Sequence, residues 1–247
     1  TVCQSAAAAV AQGTVVVSVT KGLETESLLP MSAVLQQVLP QSRIAVLSGP
    51  SFAREVAEGQ PTAVVAASAD PAAAAETQSA FVTSRFRVYT ASDVVGAELA
   101  GALKNVIAIA AGMLEGLGLG HNPRAALLTR GLAEMARLGA AMGADPLTFA
   151  GLAGMGDLVL TATGSLSRNR ALGLALAQGE TLADFQARHR TVAEGVNSAR
   201  AASQLARRVD VELPITNEVC AILFEGKPPR ESVGELMGRE PKPEQWR

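Results

Sequence analysis

The sequence predicts an α/β sheet layer followed by an all-helical half. Three observations carry that prediction. Up to about residue 91, short β-branched runs alternate with helical stretches, the pattern of crossover connections with at least partly parallel pairing. Beyond Asp93 no strand signal remains, only helical patterns broken by Gly and Pro. Aromatic residues make up 3% of the chain and hydrophobic residues 48%, so the interior has to be built from small aliphatic side chains on tightly packed elements.

The run TVVVSVT at residues 14–20 reads as a first strand ending at Lys21-Gly22, with a helix expected over 25–39. A second strand at 44–47 runs into Gly49-Pro50-Ser51-Phe52-Ala53, where Gly and Pro force a turn and Pro50 and Ser51 suit a helix start. Residues 62–67 form a third strand, an Ala-rich helix follows Pro71, and 86–89 form a short fourth strand. The helical half begins near Ser92, with helices expected at about 93–115, 123–142, 166–178, 193–207 and 215–225. The Ala-rich patches at 6–9 and 72–75 read as helix filler.

With 247 residues the chain is long enough for one large domain or two ordinary ones. A formal charge of −2 gives no global pull toward nucleic acid or anionic membrane, so a bound phosphate has to be held locally. Two cysteines, Cys3 and Cys220, and two histidines make no metal-ligand or redox spacing, so no metal site is expected and a reduced, cytoplasmic setting fits. Lys104 and Asn105 interrupt the longest apolar region, which argues against a transmembrane span. The Ala-rich start lacks the basic leader of a signal peptide.

Lys104 is the most informative residue. On the helix expected at 93–115 its same-face neighbours are Ala97, Ala100, Gly101, Ile107, Ala108 and Ala111, all apolar. A lysine buried there has a lowered pKa and can take a proton from a substrate hydroxyl. The bland alternative is a lysine at the edge of the buried stripe that reaches water.

Other motifs carry similar alternatives. Gly116-Leu117-Gly118-Leu119-Gly120 follows a helix where a dinucleotide loop must follow a strand, so a phosphate-cradling role is not expected. Gly151-Leu152-Ala153-Gly154-Met155-Gly156-Asp157 reads as a tight, closely packed turn, with Asp157 either capping the next helix or facing Lys104. Lys21 and the Gly49–Ala53 segment both stand at C-terminal strand ends, where open α/β sheets bind ligands, and so face one crevice; a solvated turn lysine and a simple chain reversal are the alternatives. Ser165-Leu166-Ser167-Arg168-Asn169-Arg170 packs hydroxyl, guanidinium and amide groups into a helix start, either an anion site or a capping serine followed by surface arginines. Glu194, after Val192, is by itself a helix-start carboxylate.

Read in order, VTKGLE, LSGPSFAREV, ELAGALKNVIAIAAGMLEGLGLGHNPRAALLTRGLAEM, GLAGMGDLVLTATGSLSRNRALG and VAEGVNSA resemble the NAD(P)-dependent glycerol-3-phosphate dehydrogenase family over nearly the whole chain. The resemblance implies an incomplete Rossmann-type, NAD(P)-binding sheet domain at residues 1–91 and an all-helical substrate domain at 92–247. It implies Lys104 as the catalytic acid/base that interconverts sn-glycerol 3-phosphate and dihydroxyacetone phosphate, a step in glycerophospholipid precursor synthesis. It places Lys21, Gly49, Ser51, Lys104, Asp157, Ser167, Arg168 and Asn169 at the substrate, and Lys21, Ala53, Arg168, Val192 and Glu194 at NAD or NADP. A cytoplasmic enzyme, a homodimer and no nucleic-acid partner are the associated expectations.

One departure stands at the front. Family members begin with a strand and a G-x-G-x-x-[GA] turn, and no such motif precedes Thr14, where the resemblance implies only a helix at 3–12. The expectation is a dehydrogenase fragment that keeps the catalytic lysine, lacks much of the cofactor site, and leaves an unpaired sheet edge. Competing readings are a dehydrogenase of the 6-phosphogluconate or ketopantoate reductase type, against which Ser167-Arg168-Asn169 argues, and a non-catalytic helical module that binds a phosphometabolite.

Overall fold

The computed structural model describes residues 2–189, 193–241 and 243–244. Helix α1 (Val2–Ala6) and a 3-10 turn (Ala7–Ala9) lead into strand β1 (Val15–Ser18). The helix expected over 3–12 therefore stops early, with Val10 extended and Gly13 turning at φ +77°. After β1 come helix α2 (Met31–Val38), strand β2 (Arg43–Ser48), the short helix α3 (Ala53–Ala57), strand β3 (Thr62–Ala67), helix α4 (Pro71–Phe81) and strand β4 (Phe86–Ala91). The sheet order is β1-β2-β3-β4, with β1 parallel to β2, β2 antiparallel to β3, and β3 parallel to β4. The expected partly parallel layer is there, and β1 lies at its edge.

Helix α2 corrects the expectation of a helix over 25–39. Pro30 stands at its start, and Pro lacks the amide that a helix interior needs. Upstream, the Glu24 carboxylate accepts from the Ser27 amide at 2.6 Å and the Glu26 amide at 3.1 Å, a local alternative to helical bonding that closes a turn.

The second half holds helices α5 (Val94–Gly116), α6 (His121–Ala141), α7 (Pro146–Ala150), a π-helical turn (Leu152–Gly156), α8 (Asp157–Thr163), α9 (Arg168–Ala177), α10 (Leu182–Arg188), α11 (Glu194–Arg208), α12 (Pro214–Glu225) and α13 (Pro229–Met237). The change from strands to helices falls at Asp93, whose carboxylate caps α5 by accepting from the Gly96 amide at 2.8 Å. Helices α7, α8, α10 and α13 are short and were not legible as periodic patterns. The Gly116–Gly120 segment is the turn between α5 and α6, with Gly118 at φ +71°.

Helix α5 organises the molecule. It is buried without a break from Gly96 to Leu114, as befits a helix that is apolar all round, and α6, α8, α9, α11 and α12 pack around it while β2 meets its N-terminal part. Its length and apolar character match those of a membrane-crossing helix, and here that surface is covered by protein. Small residues let its neighbours approach closely. A Cβ at Gly112 would lie 2.0 Å from the Arg170 carbonyl oxygen, and one at Gly173 1.9 Å from that of Ile109, so α5 and α9 touch backbone to backbone. That crossing sets the start of α9 beside the middle of α5.

Candidate active site

Lys104 does not reach water along the helix surface. It is 5% exposed, and its Nζ donates to Asp157 Oδ1 at 2.8 Å and to Thr161 Oγ1 at 2.6 Å. Burial pushes its pKa down to about 8; the positive charge of Lys21 adds to that effect and Asp157 opposes it. Asp157 is 1% exposed and bridges two ammonium groups, because its other oxygen accepts from Lys21 Nζ at 2.6 Å. A buried carboxylate so placed is compensated on both sides, which is the condition for keeping it charged away from water.

The glycines of residues 151–156 explain how Asp157 comes to face Lys104. They form no tight turn: the π-helical turn runs straight into α8, with Gly154 pressed so close to α7 that a Cβ there would lie 2.1 Å from the Phe149 carbonyl oxygen. Gly156, and not Asp157, precedes the helix, so of the two alternatives the carboxylate does not cap it. Thr161, one helical turn on, presents its hydroxyl on the same face and donates to Asp157 Oδ1 at 3.2 Å.

From the sheet side, Lys21 and the Gly49 segment meet as expected. Lys21 Nζ donates to the Gly49 carbonyl at 2.9 Å, and Ser51 Oγ donates to the same oxygen at 3.1 Å. Gly49 sits at φ +137°, and a Cβ there would come within 3.0 Å of Val64 Cα, so the turn is built for glycine. Ala53 is exposed at the first position of α3. The Lys21 stem lies over Gly101 of α5, and the buried Ser48 Oγ beside it has no hydrogen-bond partner among the described residues.

The hexapeptide at 165–170 does not act as a single cluster. Ser167 is buried and caps α9, accepting from the Arg170 amide at 3.2 Å. Arg170 turns away from the lysine to a bidentate pair with Glu115, at 2.9 Å from Nε and 2.5 Å from Nη2. Buried Asn169 donates to Asn105 Oδ1 at 2.9 Å and accepts from the Gly195 amide at 2.9 Å, tying α9 to α5 and α11. Arg168 stays half exposed and pairs with Glu194 at 2.7 Å. Val192 lies outside the described residues.

Two side chains of the constellation, and the Gly195 amide, escaped the sequence reading. Thr161 carried a signal in its spacing of four from Asp157, and Asn105 in being a second polar residue inside the same apolar helix. The result is one hydrogen-bonded net of Lys21, Gly49, Ser51, Lys104, Asp157 and Thr161, and a second of Asn105, Asn169 and Gly195 flanked by the Arg168–Glu194 pair, with Lys104 and Asn105 at adjacent positions on α5. Strand ends of an α/β sheet facing a buried lysine on a helical body, its pKa lowered to about 8, are an arrangement suited to an enzyme of the acid–base class.

The comparisons with known proteins narrow that class. Residues 1–74 match the N-terminal model of NAD-dependent glycerol-3-phosphate dehydrogenase, and residues 93–234 match the C-terminal model. The chain belongs to this family of oxidoreductases. It is 61% identical over 237 residues to the glycerol-3-phosphate dehydrogenase [NAD(P)+] of Geobacter sulfurreducens, covering 95% of this chain and 71% of that protein. The namesake enzyme of Geobacter metallireducens is 61% identical over 235 residues, covering 94% and 70%. The crystal structure of glycerol-3-phosphate dehydrogenase from Coxiella burnetii superposes with a TM-score of 0.92 at 41% identity, covering 96% of this chain and 73% of that one.

Proposed function

We propose that Lys104 is the acid/base of this glycerol-3-phosphate dehydrogenase, and that the two nets around it hold the substrate. The supporting observation is the buried Lys104–Asp157–Lys21 array. An ammonium has three N–H groups; two of them go to Asp157 and Thr161, which leaves one for a substrate oxygen. In the oxidative direction neutral Lys104 accepts the proton of the C2 hydroxyl as the C2–H bond breaks, and Asp157 stabilises the ammonium that forms. In the reductive direction the ammonium returns that proton to the carbonyl oxygen of dihydroxyacetone phosphate.

The phosphate of the substrate falls to Arg168 and Asn169, with Ser167 holding the helix start. The Arg168–Glu194 pair is half exposed and so only weakly stabilised, which lets the guanidinium exchange a carboxylate for a phosphate. Asn169 keeps a second amide N–H beyond the one given to Asn105. Gly49 and Ser51 close the sheet side of the pocket.

The residues present fit the nicotinamide end of NAD or NADP. The orphaned Ser48 hydroxyl beneath Lys21, Lys21 itself, the backbone of exposed Ala53 and the Arg168–Glu194 pair are the groups offered to it, with Val192 beside Glu194 in sequence. When bound, the nicotinamide accepts or returns the hydride. We assign residues 1–91 to the cofactor domain and 92–247 to the substrate domain, the division supported by the change of element type at Asp93. A homodimer in a reducing cytoplasm is part of the same reading.

Replacing Lys104 tests the assignment. Lys104→Ala should cut turnover roughly 10²- to 10⁴-fold in both directions, read as oxidation of NADH or NADPH with dihydroxyacetone phosphate and as reduction of NAD+ or NADP+ with glycerol 3-phosphate. Near-normal turnover in a folded Lys104→Ala variant would sink it.

A further inference from the structure

Glu98 lies six residues before Lys104 on α5 and belongs to neither net. It is 3% exposed, and among the described residues no basic side chain pairs with it. Its Oε1 accepts the Ser32 backbone amide at 2.8 Å, and its Oε2 accepts the Ser32 hydroxyl. Ser32 stands in the first turn of α2, a helix whose N-terminal residue, Pro30, has no side chain to cap it. A buried carboxylate on one element thus caps the start of another.

The chain between Ser32 and Lys21 transmits that hold. Leu23 and Pro30 form an antiparallel bridge, and the Glu24 amide donates to the Leu29 carbonyl at 2.9 Å. Leu23 and Leu28 are buried in the same cluster as Leu99, Ala102 and Leu103 of α5. Leu28 adopts φ +63°, a left-handed conformation that a branched side chain does not favour, so the loop depends on its anchors for its shape. Three residues after Glu98 and on the same face of α5, Gly101 is the floor on which the Lys21 stem rests. One face of α5 thus holds the far end of the loop through Glu98 and receives its functional side chain at Gly101.

We infer that Glu98 is a positioning residue for the dehydrogenase reaction: its carboxylate clamps α2 to α5 and so keeps Lys21 beside Asp157 and Lys104. The inference rests on the assignment of Lys104 as the proton carrier. A half-buried lysine released from such a clamp solvates its ammonium. Asp157 then loses one of its two cations, and Lys104 loses its like-charge neighbour.

The consequence is a change in pH dependence. The charged groups around Lys104 are Asp157 from α8, Lys21 from the loop after β1 and Glu194 from the start of α11; the carboxylates favour the ammonium and Lys21 opposes it. Withdrawal of Lys21 therefore favours the ammonium and moves the titration of Lys104 upward.

The test compares Glu98→Ala, Glu98→Gln, Lys21→Ala and the Glu98→Ala/Lys21→Ala double variant in the intact enzyme, recording thermal midpoint, kcat, KM and the pH profile of kcat for oxidation. Glu98→Ala should lower kcat on the order of tenfold through misplacement of a side chain at the reacting centre. The midpoint of its ascending limb should move up by about half to one pH unit through loss of the neighbouring charge. Glu98→Gln, which keeps an acceptor for the Ser32 amide, should recover most of both, and the double variant should shift no further than Lys21→Ala alone. An unmoved pH limb in Glu98→Ala, or effects of the two single changes that multiply in the double variant, would overturn the inference. If Glu98→Ala does not fold, Ser32→Ala removes one arm of the clamp; a smaller shift in the same direction supports the inference and an unmoved limb overturns it. Lys104→Ala, run alongside, separates the two readings, because retained turnover there removes the proton carrier and leaves the clamp to be judged on its own pH shift.

Discussion

At Lys104, position and environment pull together. Burial lowers its pKa to about 8, close enough to neutrality for the free amine and the ammonium both to be populated, as an acid/base serving two directions requires. The sign follows directly. Oxidation needs the free amine, so kcat for glycerol 3-phosphate oxidation should rise with pH and level off above about 8, while reduction should fall over the same interval. Stopped-flow measurement of the hydride step in each direction checks this, and parallel profiles in the two directions would contradict the role. Lys104 was legible because a lone cation in an apolar helix stands out. Asp157 was seen only as a candidate, since its choice between capping and facing Lys104 depended on the π-helical turn before it. The internal partners of Arg170 and Asn169 were invisible for the same reason: both belong to a packing of α5, α9 and α11 that no single segment encodes.

The elements show where periodicity suffices. The long helices α5, α6, α9, α11 and α12 and all four strands lay within a few residues of their expected places, because each carries a strong pattern and recognisable punctuation. Helix α2 did not, because the Glu24 turn and Pro30 outweighed the helical pattern between 25 and 30. The crossing of α5 and α9 rests on Gly112 and Gly173 and leaves no room for a methyl group. Gly173→Ala should therefore separate the helices and destabilise the fold by about 1–3 kcal/mol, the usual cost of overpacking. It should also lower turnover, because α9 carries Arg168 and Asn169. Denaturant midpoints for Gly173→Ala, with Gly234→Ala at an exposed, unobstructed position of α13 as control, measure the first effect. A midpoint as high as the parent's would show that the crossing can relax.

Over the whole molecule, a second carboxylate works in the same manner as Glu98. Glu134 of α6 is 4% exposed and accepts the Ile215 amide at 2.6 Å and the Thr216 amide at 3.2 Å, capping α12, whose own N-terminal residue is Leu213. Burial pushes its pKa up to about 7, with those two amides opposing the shift. A carboxyl whose folded pKa lies above its unfolded value of 4.5 contributes stability fully present below that value and lost as pH rises through about 7. Glu134→Gln should flatten this part of the stability curve, so that its thermal midpoint changes less than the parent's between pH 5 and pH 8. An identical pH slope in the two proteins would assign the dependence elsewhere.

The sequence by itself determined the division into a sheet layer and a helical body, the placement of the strand-end crevice, the lysine on the central helix and, through its ordered motifs, the family. These follow from local periodicity and from residue types that are costly where they stand. Only the tertiary structure decided that Asp157 joins Lys21 to Lys104, that Asn105 and Thr161 complete the nets, that Arg170 turns to Glu115, and that buried glutamates cap helices remote in sequence. Those outcomes depend on which backbones approach closely enough for a polar group to find its partner, and that distance is set jointly by elements far apart in the chain.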